Sequence, residues 1–138
     1  MYRFFVWIFL LIPFISQSTD PFQQKTLVII VDAKGQVSID RIKIETDDLP
    51  RELQQRLWRS FVGNGKMPQV IKVQFENELP PESTKAILEA VKQGQQRTLN
   101  ILSLHKYKNK FENITTRKQD KIKKQFPVLF QEDLLSTG

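Results

Sequence analysis

The stretch VIKVQFENELPPESTKAILEAVKQGQQRTLNILSL, residues 70–104, decides how the chain is read. Its spacing predicts strand, helix, strand. Ile71, Val73 and Phe75 alternate with Lys72 and Gln74, the two-residue period of a strand with one buried face. Pro80 and Pro81 stop that strand and open a helix, because first-turn N–H groups have no intrahelical partner to lose. Ile87, Ala90 and Val91 fall at i, i+3 and i+4, an apolar stripe that can lie on a sheet. Gly94 suits the left-handed residue beyond a helix end, and Leu99, Ile101 and Leu102 then resume an extended apolar run. Two strands around a helix are expected to form a right-handed crossover.

Working outward, Leu27–Val31 is a short apolar run, expected to be a strand buried on both faces. Asp32-Ala33-Lys34-Gly35 is a turn signal, since Asp accepts from nearby backbone N–H groups and Gly takes positive φ. Val37 and Ile39 alternate after it, so Leu27–Asp40 reads as a hairpin. Ile42 and Ile44 extend the alternation into a further short strand. Thr46-Asp47-Asp48 is an acidic helix start with Pro50 in the first turn. Leu49, Leu53 and Leu57 recur every four residues, flanked by Trp58 and Phe61, and Gly63-Asn64-Gly65 ends that helix. Near the C-terminus, Thr116 and Gln119 form a capping box. Ile122 and Phe126 share a helix face there, and Lys118, Lys121, Lys123 and Lys124 occupy the solvated side. Pro127 stops the helix, and Val128-Leu129-Phe130 is an apolar plug, for this domain's own core or for a second copy. The sum is an α+β fold. A small mixed β-sheet is built from a β-hairpin, a helix and a strand–helix–strand unit, with two helices packed on one face and a C-terminal basic helix.

The first 18 residues carry one early charge, Arg3, and an apolar run from Phe4 to Ile15. They read as a signal peptide, with Ser16-Gln17-Ser18 as the cleavage site, or as a short membrane anchor. Twelve helical residues rise roughly 18 Å against a hydrocarbon core of about 30 Å. Either way the domain stands on the far side of a membrane, as Arg3 favours the inside. The organisation is therefore leader 1–18, linker 19–26, domain 27–104 and basic extension 105–138.

The 138 residues suffice for one domain, and a charged fraction of 26% beside a hydrophobic fraction of 40% marks it as globular. The absence of cysteine excludes disulfides, thiol catalysis and most zinc sites. The net charge of +6 is concentrated: between His105 and Lys124 stand eight Lys or Arg and two acids, Glu112 and Asp120. The rest of the chain is neutral, so the overall basicity is not a nucleic-acid footprint.

Residues 27–40 (LVIIVDAKGQVSID), 49–57 (LPRELQQRL) and 70–104 together resemble the periplasmic domain of the ExbD/TolR family of biopolymer-transport proteins. The resemblance implies a homodimeric, single-span subunit in the bacterial inner membrane with its domain in the periplasm. It implies work beside an ExbB/TolQ-like channel, using the proton gradient to act on a TonB- or TolA-like partner. The family's proton-responsive residue is an intramembrane aspartate. Phe4–Ile15 holds no Asp, Glu, Lys or His, and a proton relay in hydrocarbon needs a titrating side chain. No functional residue is therefore carried over. The expectation is a non-catalytic subunit acting by contact, or, if the leader is cleaved, a stand-alone secreted or periplasmic binding domain.

No catalytic, cofactor or metal site is assembled from these residues. His105 is a lone histidine at a strand end beside Lys106 and Lys108, a surface position. Asp47 with Asp48 is accounted for as a helix cap, and Glu76 with Glu78 sits in a loop without an apolar pocket to raise a pKa. Asn113-Ile114-Thr115 matches a glycosylation acceptor and carries no weight in a bacterial chain. The basic segment is a solvated helix face or a surface for phosphate, lipid headgroups or nucleic acid. Apart from Tyr107 and Phe111 it lacks the aromatics on which single-stranded bases stack.

Overall fold

The structure, a computed structural model, describes residues 25–135. The leader and residues 19–24 lie outside the described residues, and with them the choice between signal peptide and anchor. Among the described residues no helix is long and apolar enough to cross a membrane.

The fold is α+β. Strands β1 (Thr26–Val31), β2 (Val37–Ile39), β3 (Ile42–Ile44) and β4 (Val70–Phe75) form one mixed sheet in the order β3-β2-β1-β4. β1 pairs antiparallel with β2, β2 antiparallel with β3, and β1 parallel with β4. Helix α1 (Leu49–Asn64) links β3 to β4, α2 (Pro81–Tyr107) follows β4, and α3 (Thr116–Gln125) precedes a short 3-10 turn, Pro127–Phe130.

The predicted hairpin is present, and Asp32 makes its turn. Its Oδ1 accepts from the Lys34 and Gln36 amides at 2.8 and 2.9 Å, and Gly35 sits at φ 84°. The next turn is tighter. Asp40 and Arg41 both take positive φ, 53° and 69°, the two-residue connection that matches strand twist but favours glycine. Arg56 on α1 donates to Asp40 Oδ2 at 2.7 Å and holds that turn.

Leu27, Ile29, Val31, Val37, Ile39, Ile44, Ile71 and Val73 face the helices, and all but half-buried Leu27 are buried. α1 covers them with Leu49, Leu53 and Leu57, each fully buried. The expectation that β1 is buried on both faces is corrected. Val28 is half-buried and Ile30 is 37% exposed, because their face carries no helix. Lys72 and Gln74, both exposed, stand opposite them on β4.

The strand expected at Leu99–Leu102 is also corrected: α2 runs unbroken from Pro81 to Tyr107. The buried positions Ile87, Ala90, Val91, Gly94, Gln95, Thr98, Leu99, Leu102 and Ser103 continue one helical stripe. Gly94 is inside it, not past its end. A Cβ there would meet Leu53 Cδ2 at 2.8 Å and Leu53 Cβ at 2.9 Å, so the glycine lets two helices approach closely. The parallel crossover instead lies around α1, between β3 and β4.

Both helices run from the distal end of the sheet, where β1 finishes, back to its basal end, where β1 begins. Trp58, Phe61, His105 and Phe126 meet at that basal end. His105 stands edge-on to Trp58 and Phe61 at 5.4 and 5.9 Å, and Phe61 lies 5.5 Å from Phe126. His105 thus belongs to the last turn of α2, not to a strand end. Residues 108–113 contain a left-handed Lys108 and a 3-10 turn at Phe111–Asn113. The cap of α3 is Thr115, not Thr116. Thr115 accepts from the Lys118 amide at 3.3 Å, and Gln119 donates to the Phe111 carbonyl at 2.8 Å.

Candidate functional site

The two outer edges of the sheet differ, and the difference is built by glutamines. β4 turns the backbone of Ile71 and Val73 outward. The Gln131 side-chain amide accepts from the Ile71 N–H and donates to the Ile71 carbonyl, both at 2.8 Å. The Val73 N–H donates to the Leu134 carbonyl at 2.7 Å, and Leu135 bridges Val73 in parallel. One amide and one peptide group thus replace a fifth strand. Gln95, buried on α2, holds the segment down by donating to the Val128 and Gln131 carbonyls at 2.8 and 3.1 Å. Val128, Leu129 and Leu134 are buried, and Phe130 is packed against the core. Of the two roles open to the plug, this one completes the domain's own core.

Nothing in the sequence periodicity singles out Gln95 or Gln131. Each reaches a backbone group 33 or more residues distant. A signal existed only in composition: a glutamine on the buried stripe of α2 needs a partner.

At the other edge β3 has no neighbour among the described residues. The Ile42 side chain lies at the sheet border and is 58% exposed. In a two-residue hairpin, Ile39 and Ile42 exchange hydrogen bonds, so alternation turns the Lys43 N–H and carbonyl outward.

A groove of about 650 Å³ runs along the sealed edge. Phe75, Leu79, Leu88 and Leu134 form its floor, and Glu78, Lys85, Glu132 and Asp133 stand on its rim.

The carboxylate pairs of the sequence are not assembled into an acid/base site. Asp48 makes no side-chain cap, correcting the capping expectation, and stands 3.4 Å from Arg51 in an exposed pair. Asp47, Glu76 and Glu78 are exposed. Among the described residues no three His, Asp or Glu side chains are placed to hold a metal ion. Among the described residues, Asp32 is the one carboxyl with a clear displacement. The Gln36 amide above all holds it below the usual carboxylate range; desolvation opposes this, and the Lys34 amide and the Lys34 and Lys43 charges add to the lowering. That is turn chemistry. Asn113 is exposed, and Thr115 is engaged as a cap.

All eight cations between His105 and Lys124 are exposed. Among the described residues there are two ion pairs, Arg51–Asp48 and Arg56–Asp40, and neither involves them. Lys118 lies 5.1 Å over the Tyr107 ring and Lys123 5.7 Å over Phe130.

No known family model matches this sequence, and no curated protein does.

Proposed function

We propose that the chain is a non-catalytic, ExbD/TolR-like subunit of a proton-motive-force-driven envelope transport system, whose domain grips other proteins by contact. The observation that carries the reading is the asymmetry of the sheet. One edge is sealed by the chain's own C-terminal segment, while β3, beside exposed Ile42, has no partner strand among the described residues. Open edges are where partner strands add. The hairpin, Leu-spaced helix, strand and second helix follow the order that the resemblance implies, and only its closing strand differs. The partners in this reading are an ExbB/TolQ-like channel, a TonB/TolA-like protein and a second copy.

The experiment is purification of the full chain from the bacterial envelope. Co-migration with an ExbB-like channel protein is expected. Lys43→Pro, which removes an outward-facing donor without touching the β2–β3 ladder, is expected to lose a partner while keeping the far-UV circular dichroism of the parent. A chain that stays soluble and unpartnered defeats the proposal. The second reading, a stand-alone secreted or periplasmic binding domain, is favoured by Ser16-Gln17-Ser18. Mass spectrometry separates the two: a mature start at Thr19 supports it, an intact Met1 the membrane-held subunit.

A further inference from the structure

The topology sorts charge along the molecule. β1, β3 and β4 run from the basal to the distal end, and α1 and α2 run back. The distal connections therefore carry Glu45, Asp47, Asp48, Glu76, Glu78 and Glu82, at the ends of β3 and β4 and the starts of the two helices. Lys106 in the last turn of α2, Lys108 and Lys110 in the connection after it, and Arg117, Lys118, Lys121, Lys123 and Lys124 on α3 are the eight exposed cations, none of them in an ion pair among the described residues. Helix dipoles explain acids at the first turns and Lys106 in the last. They do not explain α3, whose cations run its full length.

The basal end is also where the chain enters the domain. The Lys25 carbonyl, just before β1, accepts from the Gln69 and Val70 amides at 2.8 and 3.0 Å. Gln69 shares a surface hollow with Lys124 and Phe126 at the end of α3. Only six residues, Thr19–Gln24, separate Lys25 from the leader that ends at Ser18. Fully extended, they reach about 20 Å. An apolar leader seated in a bilayer thus brings the basic end, and not the acidic one, within reach of the headgroups.

We propose that the basal cations of α2 and α3 form a docking surface for the anionic phospholipid headgroups of the membrane that the leader enters. Contact there orients the domain with its acidic end and its open β3 edge accessible to partners. Charge complementarity commits the occupant to an anionic surface. The adjoining apolar leader commits it to lipid over nucleic acid, and the surface lacks the stacking aromatics of single-strand binders. The inference does not depend on which protein the β3 edge meets.

The chain has no cysteine, so an introduced one is a unique label site. Gln125→Cys marks the basic end and Asn77→Cys the acidic one, both at exposed, uncharged positions. Each full chain, carrying an environment-sensitive fluorophore, is reconstituted in phosphatidylcholine vesicles with or without phosphatidylglycerol. Enhanced, lipid-quenchable emission is expected from the Gln125 site in anionic vesicles only, and from the Asn77 site in neither. Raising salt from about 0.1 M to about 1 M shortens the screening length from about 10 Å to about 3 Å and should abolish the signal. Lys121→Gln and Lys124→Gln are each expected to weaken it about five-fold. Equal emission in both vesicle types, equal response at both ends, or a response to a single-stranded oligonucleotide but not to anionic vesicles overturns the proposal.

Discussion

Leu53 of α1 packs directly against Gly94 of α2. Helix propensity alone favours alanine over glycine by about 1 kcal/mol. Position 94 reverses that sign. The nearest Leu53 atoms include Cβ at 2.9 Å, which no rotamer change can move, so the helices must separate. Gly94→Ala is expected to destabilise by about 1–3 kcal/mol, the usual range for overpacking, read as a lower urea midpoint. A gain would show that the helices are free to shift. Asp32 supports a second prediction. Its folded pKa is depressed by the Gln36 and Lys34 amides, so its contribution is full above the ordinary carboxylate pKa and is lost as pH falls through the folded value. Asp32→Ala should therefore unfold at lower urea at pH 7, and the gap from the parent should close in acid. A gap that stays constant to low pH would place the effect elsewhere than the carboxylate.

Among elements, the turn between β2 and β3 and the seal on β4 are the informative ones. Arg41 holds φ 69° without being glycine, a conformation that disfavours side chains by roughly 1–2 kcal/mol. Arg41→Gly should raise stability by up to about 1 kcal/mol, glycine's greater unfolded-state freedom offsetting part of the relief. Thermal denaturation tests it, and a lower melting temperature would mean the Arg41 side chain has a stabilising role. On the other edge, Gln131→Ala leaves the Ile71 N–H and carbonyl unpartnered. A loss of about 1–3 kcal/mol is expected per buried orphan. Faster amide hydrogen exchange at Ile71 would localise it, and protection unchanged at Ile71 would show that another group seals the edge. Gly94 also explains why α2 runs past the end that its sequence signals. Glycine after an apolar helical stripe signals a helix end when only local geometry is weighed. Here its missing side chain serves the packing of a neighbouring helix, a contact 41 positions away.

At the scale of the whole molecule, the C-terminal segment is part of the one core. Ile122, Phe126, Val128, Leu129 and Leu134 belong to the same buried cluster as the sheet. Removing residues 126–138 takes several large side chains from it, each contributing about 1.5–3 kcal/mol. That is comparable with a whole domain stability of 5–15 kcal/mol, on the order of the usual range. The truncated chain is expected to lose cooperative unfolding and to aggregate through the bared β4 edge. A monomeric, cooperatively folding fragment would show that the plug is dispensable. Charge obeys the same scale: the run of cations is local to residues 105–124, but only the parallel course of α1 and α2 puts it at the end where the chain enters.

The sequence by itself determined the four strands of the sheet, though not the helical state of Leu99–Leu102, together with the Asp32 turn, the leucine face of α1 and the shared face of Ile122 and Phe126. Each rests on periodicity or on a turn bond spanning a few residues. Tertiary structure decided the continuity of α2 through Gly94, the one-sided burial of β1, the sealing of β4 by Gln131 and the placement of the basic segment at the basal end. Those outcomes depend on which surfaces meet across tens of residues, and a pattern of neighbours along the chain carries no record of that.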